Sequence, residues 1–256
     1  MKKIIAFLIR FVPRKYLQRF TGLGRWVFSI VYAGNNVLCP VCKKSFRSFL
    51  PYGRINPRAN ALCPHCLSLE RHRLVYLYLK EKTNFFQQPL SVLHIAPELC
   101  FIKRFEKQHG EKYITADLES PLAKVKMDIH AIPFDANTFD AVLCNHVLEH
   151  VQDDIKAMSE IQRVLKPGGF AILMVPLYPP LPDETFADHS PLSPREREQK
   201  FGQADHVRKF GKDYAKRIQQ AGLQAIEDPF ATLLGEEKRK RYGIFEEVIF
   251  VGRKHE

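Results

Sequence analysis

The chain has 256 residues and 45% hydrophobic content, enough for one α/β domain with a sizeable core plus a small appendage. Its formal net charge of +11 is uneven: residues 1–82 carry 16 Lys and Arg against 2 Asp and Glu, and the remainder carries 23 against 26. The basic N-terminal part points to an anionic partner, a membrane surface or nucleic acid, with a solubilising surface as the plain alternative. No apolar run reaches the roughly 18–20 residues that span a bilayer, which argues against an integral membrane protein.

Residues 1–36 alternate basic, aromatic and apolar side chains. Ile4, Ile5, Phe7, Leu8, Phe11 and Val12 can share one side of a short helix, with Lys2, Lys3, Arg10, Arg14, Lys15 and Arg19 supplying cations. Such a segment either lies in a lipid interface or docks on its own domain. The apolar start is interrupted by Arg10, and no small-residue cleavage site follows. The expectation is a cytoplasmic protein, peripheral to the inner face of the membrane where the N-terminal segment meets lipid.

Residues 37–84 form a cysteine module and a connecting helix. Cys39-Pro-Val-Cys42 and Cys63-Pro-His-Cys66 are two Cys-x-x-Cys pairs, each able to place two thiolates on one ion. Together they predict a closed, structural four-cysteine zinc (Zn2+) site. His65 and His72 are spare ligand types nearby and are read as surface or supporting groups. Ser68 precedes a helix with Glu70 in its first turn and Leu74, Val75, Leu77 and Tyr78 on its apolar face.

From Leu90 the pattern alternates within a domain over 85–256. Strands are expected at Leu90–Ile95, Tyr113–Ala116, Lys124–Met127, Phe139–Cys144 and Phe170–Val175. Helices are expected at Pro97–His109, Val151–Lys166 and Gly211–Ala221, and closing strands at Leu223–Ile226 and Glu246–Val251. The fold class is α/β, a doubly wound Rossmann-like and mostly parallel sheet, with the small zinc module at its N-terminal side. Between Pro179 and Gln203 the periodicity disappears and five prolines fall. That stretch is expected to be a substrate lid, about 177–210 in all.

The run from Asp128 to His150, which contains Asn145-His-Val-Leu-Glu-His150, is followed by Leu165-Lys-Pro-Gly-Gly169. In that order it resembles the second half of a class I S-adenosylmethionine-dependent methyltransferase. The whole chain also resembles a bacterial group that joins this domain to a four-cysteine module. That resemblance rests on Ala61-Leu-Cys-Pro-His-Cys-Leu-Ser-Leu-Glu-Arg-His-Arg73, Leu93-His-Ile-Ala-Pro-Glu98 and Gly202-Gln-Ala-Asp-His-Val-Arg208. It implies S-adenosylmethionine as cofactor, with Asp117 and Leu118 at the ribose, Asp128 and Ile129 at the adenine, and Asn145 and His146 beside the methionine end.

The first loop departs from that pattern. His94 stands where the family has an acid, and Ala96, Glu98 and Cys100 stand where it has glycines. Glycine allows positive φ and close backbone approach, so Glu98 is the hardest replacement to accommodate. Glu98 either binds the cofactor ammonium in place of the missing acid, or the site is degenerate. His206, in Asp205-His-Val-Arg208, is the candidate general base. Asp205 would orient it and Arg208 would grip an anionic acceptor. An alternative for His206 is a structural hydrogen bond closing the lid. His146 and His150 have the spacing of a metal pair, without an evident third ligand. The expected activity is methyl transfer to an O or N atom of a small or envelope-related methyl acceptor. RNA methylation through the basic module and a non-enzymatic binding role are the competing readings.

Overall fold

The computed structural model describes residues 21–53 and 57–256, and the chain divides into two compact units. The expected amphipathic stretch from Lys2 to Arg19 lies outside the described residues.

The smaller unit holds the described residues through Glu81 together with Ala231–Glu246. Helix α1 spans Thr21–Val31 and exposes Trp26 and Ile30. Two short antiparallel pairs follow: β1 (Ala33–Leu38) with β2 (Ser45–Phe46), and β3 (Leu50–Tyr52) with β4 (Arg58–Leu62). Helix α2 (Glu70–Lys82) buries Leu74, Val75, Leu77 and Tyr78, as the apolar spacing predicts. Arg73 on this helix is also fully buried. Its guanidinium donates to the carbonyls of Ala61 (2.9 Å), Ser68 (2.8 Å), Tyr242 (2.7 Å) and Gly243 (2.7 Å) and lies 4.2 Å from the centre of the Phe49 ring. This explains why Ala231–Glu246 belongs with the cysteine module and not with the 85–256 domain where the expected boundary put it: its chain carbonyls complete the coordination of a buried cation.

The larger unit is built on seven strands: β5 (Val92–Ile95), β6 (Tyr113–Asp117), β7 (Val125–Lys126), β8 (Phe139–Asn145), β9 (Leu165–Met174), β12 (Gln224–Asp228) and β13 (Ile249–Arg253). They form one sheet in the order β12-β13-β9-β8-β5-β6-β7. The first five run parallel, and β13 turns antiparallel between β9 and β12. Strands β5 and β8 are apolar runs buried on both faces, as helix-covered parallel strands require. The core includes Leu93, Val142, Leu148, Met158, Ile161, Leu173 and Phe250.

Helix α3 (Leu99–His109) starts two residues later than expected, with Glu98 in extended conformation at its N-cap. Helix α4 covers only Asp154–Val164, because the Asp153 side chain accepts from Lys156 N and sets the start there. Strand β9 in turn begins at Leu165 and passes through Gly168 at φ 73°.

The 179–203 stretch is not structureless. Strand β10 (Phe186–Ala187) pairs with β11 (Arg208–Lys209), and between them lies helix α5 (Pro194–Phe201). Ser193 and Glu196 form a reciprocal capping box with Pro194 in the first turn, and the stretch anchors Phe201 in the interior. Helix α6 (Tyr214–Gln220) precedes β12.

Candidate functional site

In the smaller unit the four cysteine side chains converge. Their sulfurs lie within 4.8 Å of one another, with Cys39 Sγ 3.5 Å from Cys66 Sγ and Cys42 Sγ 3.7 Å from Cys63 Sγ. Four sulfurs bound at about 2.3 Å around one tetrahedral ion stand roughly 3.8 Å apart, so the set fits such an ion. The two pairs are built alike. Lys43 N reaches Cys39 O and Leu67 N reaches Cys63 O, and both Lys43 and Leu67 take positive φ just beyond the second cysteine. The thiol contacts from Cys42, Cys63 and Cys66 draw the Cys39 thiol well below its ordinary range. His65 Nδ1 faces Ser29 Oγ and His72 Nδ1 accepts from Leu69 N, so both histidines have other posts.

In the larger unit, the parallel register of β5 with both β6 and β8 brings their C-terminal loops to one edge. This is the point where strand order reverses and where such sheets bind ligands. Ala96, just after β5, has φ 50°, the conformation a glycine would supply. At Ala96 the altered loop keeps the backbone conformation of a glycine. Glu98 follows at the N-cap of α3. Its carboxylate meets His94 Nε2 and accepts from Asn145 Nδ2 at 3.1 Å. His94 is wholly buried on β5, and its Nδ1 lies 2.6 Å from the Tyr113 hydroxyl. His94, expected at the cofactor, thus spends its side chain on the Glu98 carboxylate and the Tyr113 hydroxyl.

Asp117 ends β6. One carboxylate oxygen accepts from Glu119 N (2.8 Å) and Ser120 N (2.6 Å). The carboxylate borders a hollow of about 320 Å³ lined also by Leu118, Glu119, Val125 and Lys126. Further along the edge, Asp128 Oδ1 accepts from His130 N (2.9 Å) and meets His130 Nδ1 (2.7 Å). These bonds, the backbone one first, hold its carboxyl below the usual range. The adjacent Ile129 is buried.

A second polar group lies past β8. His146 sits at φ 56° and its Nδ1 is 3.4 Å from Glu149 Oε1. Glu149 is 1% exposed, and His206, arriving after α5, is 1% exposed with Nε2 4.0 Å from the same oxygen. The His206 ring packs edge-on against His150, centroids 4.8 Å apart. Burial alone would raise the Glu149 carboxyl, but the His146 hydrogen bond and the imidazole charges outweigh it and hold it below its ordinary value. Burial lowers His206, with the Glu149 charge opposing. The sequence reading missed Glu149. Its signal was the three-residue spacing from His146 in a helix-like turn.

Arg208 and Asp205 do not sit as expected. Arg208 is buried, 3.1 Å from Asp154 Oδ1, and donates to the carbonyls of Leu148 (2.7 Å), Val151 (3.1 Å) and Gln152 (3.1 Å). Arg217 completes the pair through two bonds to Asp154, at 2.7 and 2.8 Å. The Arg208 guanidinium thus fastens the loop that carries Glu149 and His150. Asp205 is largely exposed, and it is its backbone carbonyl that meets His150 Nδ1, at 3.0 Å.

Residues 86–173 match the methyltransferase domain family. Demethylmenaquinone methyltransferase of Staphylococcus epidermidis is 41% identical over 71 residues, covering 28% of this chain and 29% of that protein. The 2-phytyl-1,4-naphtoquinone methyltransferase of Nostoc punctiforme is 40% identical over 75 residues, covering 29% of this chain and 31% of that protein. The chain thus spans about a third or less of the length of these curated relatives. Among solved structures, the Burkholderia thailandensis 1,6-didemethyltoxoflavin-N1-methyltransferase is 17% identical with a TM-score of 0.47, over 72% of this chain and 76% of that one. The segment matched by the methyltransferase domain family lies in the larger unit, from the approach to β5 through most of β9, and so includes the loop after β5 and the turn that carries Asn145 and His146.

Proposed function

We propose that the chain transfers a methyl group from S-adenosylmethionine to an oxygen or nitrogen of a small acceptor. The observation that carries this reading is the Glu98 carboxylate, fixed by His94 and Asn145 beside a loop whose alanine holds the glycine-like φ. A carboxylate there suits the cofactor ammonium. Asp117 suits the ribose hydroxyls, and the Asp128–Ile129 turn suits the adenine. Bound, the cofactor supplies an electrophilic methyl on a sulfonium. The protein's own task is to orient the acceptor, exclude water and take up a proton. Glu149 and His206 are the groups placed for that last step, the one anionic and the other neutral. The quinone-type acceptors in the names of the matched relatives support a small molecule over RNA.

Zinc in the four-cysteine set completes the proposal as a structural ion. The exposed Trp26 and Ile30 of α1 support docking on an anionic membrane surface. Co-sedimentation with anionic vesicles, lost in Trp26→Ala, checks this. Among the described residues no helix is long and apolar enough to cross a membrane.

Calorimetry of S-adenosylhomocysteine on zinc-loaded protein tests the enzymatic reading. Binding that weakens at least about tenfold in Asp117→Ala is expected. Absence of binding to folded protein would overturn it in favour of a non-enzymatic role.

A further inference from the structure

We propose that Glu149, His150 and His206 hold a divalent transition-metal ion beside the cofactor edge of the sheet. The three offer a carboxylate oxygen and two imidazole nitrogens within 4.8 Å of one another. The 4.0 Å between Glu149 Oε1 and His206 Nε2 is the span of two ligands bonded at about 2.0–2.2 Å at an open angle. His150 Nδ1 lies 3.0 Å from the Asp205 carbonyl. Donating there fixes the tautomer that leaves Nε2 with a lone pair, the usual arrangement behind a metal-bound histidine.

The surroundings point the same way. Glu149 is 1% exposed, and its Oε2 has no hydrogen-bond partner among the described residues. Within hydrogen-bond or ion-pair distance this carboxylate meets the imidazoles of His146 and His206 and, among the described residues, no lysine or arginine. Arg208, although close in the chain to His206, is committed to Asp154 and to the carbonyls of the Glu149 loop. A buried carboxylate with a spare oxygen is stabilised by a cation, and the described side chains around it supply no permanent one. Two histidines and one carboxylate suit zinc, manganese, iron, cobalt or nickel. Three protein ligands leave coordination positions for an outside ligand, and His150, with 35% of its side chain open, puts them within reach of solvent.

Resting on the methyltransferase reading, this assigns the acceptor class: a hydroxyl, which such an ion binds and acidifies, in preference to an amine. It also recasts Glu149 and His206 as ligands and not free bases, so the proton lost by the bound hydroxyl passes to solvent at the open His150 side of the site.

The test uses full-length protein with its four-cysteine site already zinc-filled, titrated with Mn2+ and followed by electron paramagnetic resonance. One further Mn2+ per chain is expected, weakened at least about tenfold in Glu149→Gln and in His206→Ala. His150→Ala, at the exposed ligand, guards against misfolding as the cause and is expected to weaken binding with an unchanged Tm. Added Co2+ should give ligand-field bands without thiolate charge transfer. No additional ion, or an ion retained in all three variants, overturns the site. S-adenosylhomocysteine binding on the same sample separates the two proposals: cofactor binding without the second ion sinks only this one, and the ion without cofactor binding sinks the enzymatic reading.

Discussion

The two units bury charged groups by opposite means. In the smaller one, four thiols face each other and the Arg73 guanidinium is surrounded by four backbone carbonyls, so these two polar sets are closed on themselves and one buried side-chain atom, Glu70 Oε2, is left without a partner among the described residues. In the larger one, an apolar sheet supplies the stability, and the polar groups at its edge are left partly unsatisfied: Asn145 Oδ1, His146 Nε2, Glu149 Oε2 and His206 Nδ1 have no partners among the described residues. A closed set serves as a structural staple. An open set on a rigid sheet marks the place for ligands, since spare donors and acceptors are stabilised only by something bound.

The largest expected effect separates the units. With zinc in the four-cysteine set as proposed, replacing Cys63 by Ser, or chelating that zinc, should unfold the smaller unit, because structural metal binding in such small modules is worth on the order of 10 kcal/mol. Hydrogen exchange should show the protection of β1–β4 lost while that of β5 and β8 persists. Loss of protection in both units together would erase the contrast.

Within the larger unit, Asp154→Ala strands the buried Arg208 and should cost about 3–5 kcal/mol in denaturant unfolding. A cost near zero would mean that Arg208 does not fasten the Glu149 loop.

The smallest effect concerns pH. His109 is buried behind Phe85 and accepts from Leu90 N, and burial lowers its pKa from 6.5 to about 4. Its folded value is depressed, so the folded state stays neutral while the unfolded chain takes up a proton below about pH 6.5. Stability is therefore present above that pH and lost as the pH falls toward 4, by about 1 kcal/mol between pH 7 and 5.5. His109→Gln, which keeps an acceptor for Leu90 N, should flatten that slope in thermal melts. An unchanged slope would assign the acid sensitivity elsewhere.

The same contrast explains what could be read from the residues alone. The cysteine set was legible because its ligands come in two short pairs whose spacing carries the chemistry. The parallel strands were legible as apolar runs, and so was the position of Asp117 at the end of β6. The capping box Ser193–Glu196 was also in plain view, but prolines around it obscured a helix short of three turns. That the His94 side chain is buried and turned to Glu98 was not legible, because sequence position does not show burial. The carbonyl partners of Arg208 were not legible, because a guanidinium two residues from a histidine reads the same whether it meets a substrate or backbone carbonyls. The Glu149–His206 pairing is formed only when the segment after α5 folds back onto the loop after β8, and no local pattern encodes that closure.

The central claim is that Glu98 replaces the missing first-loop acid. Calorimetry of S-adenosylhomocysteine on zinc-loaded wild type and Glu98→Ala tests it directly. The wild type should bind, and the variant should bind at least about tenfold more weakly, a loss of about 1.4 kcal/mol or more, with an unchanged heat-denaturation profile. Equal affinity in the two proteins would contradict it.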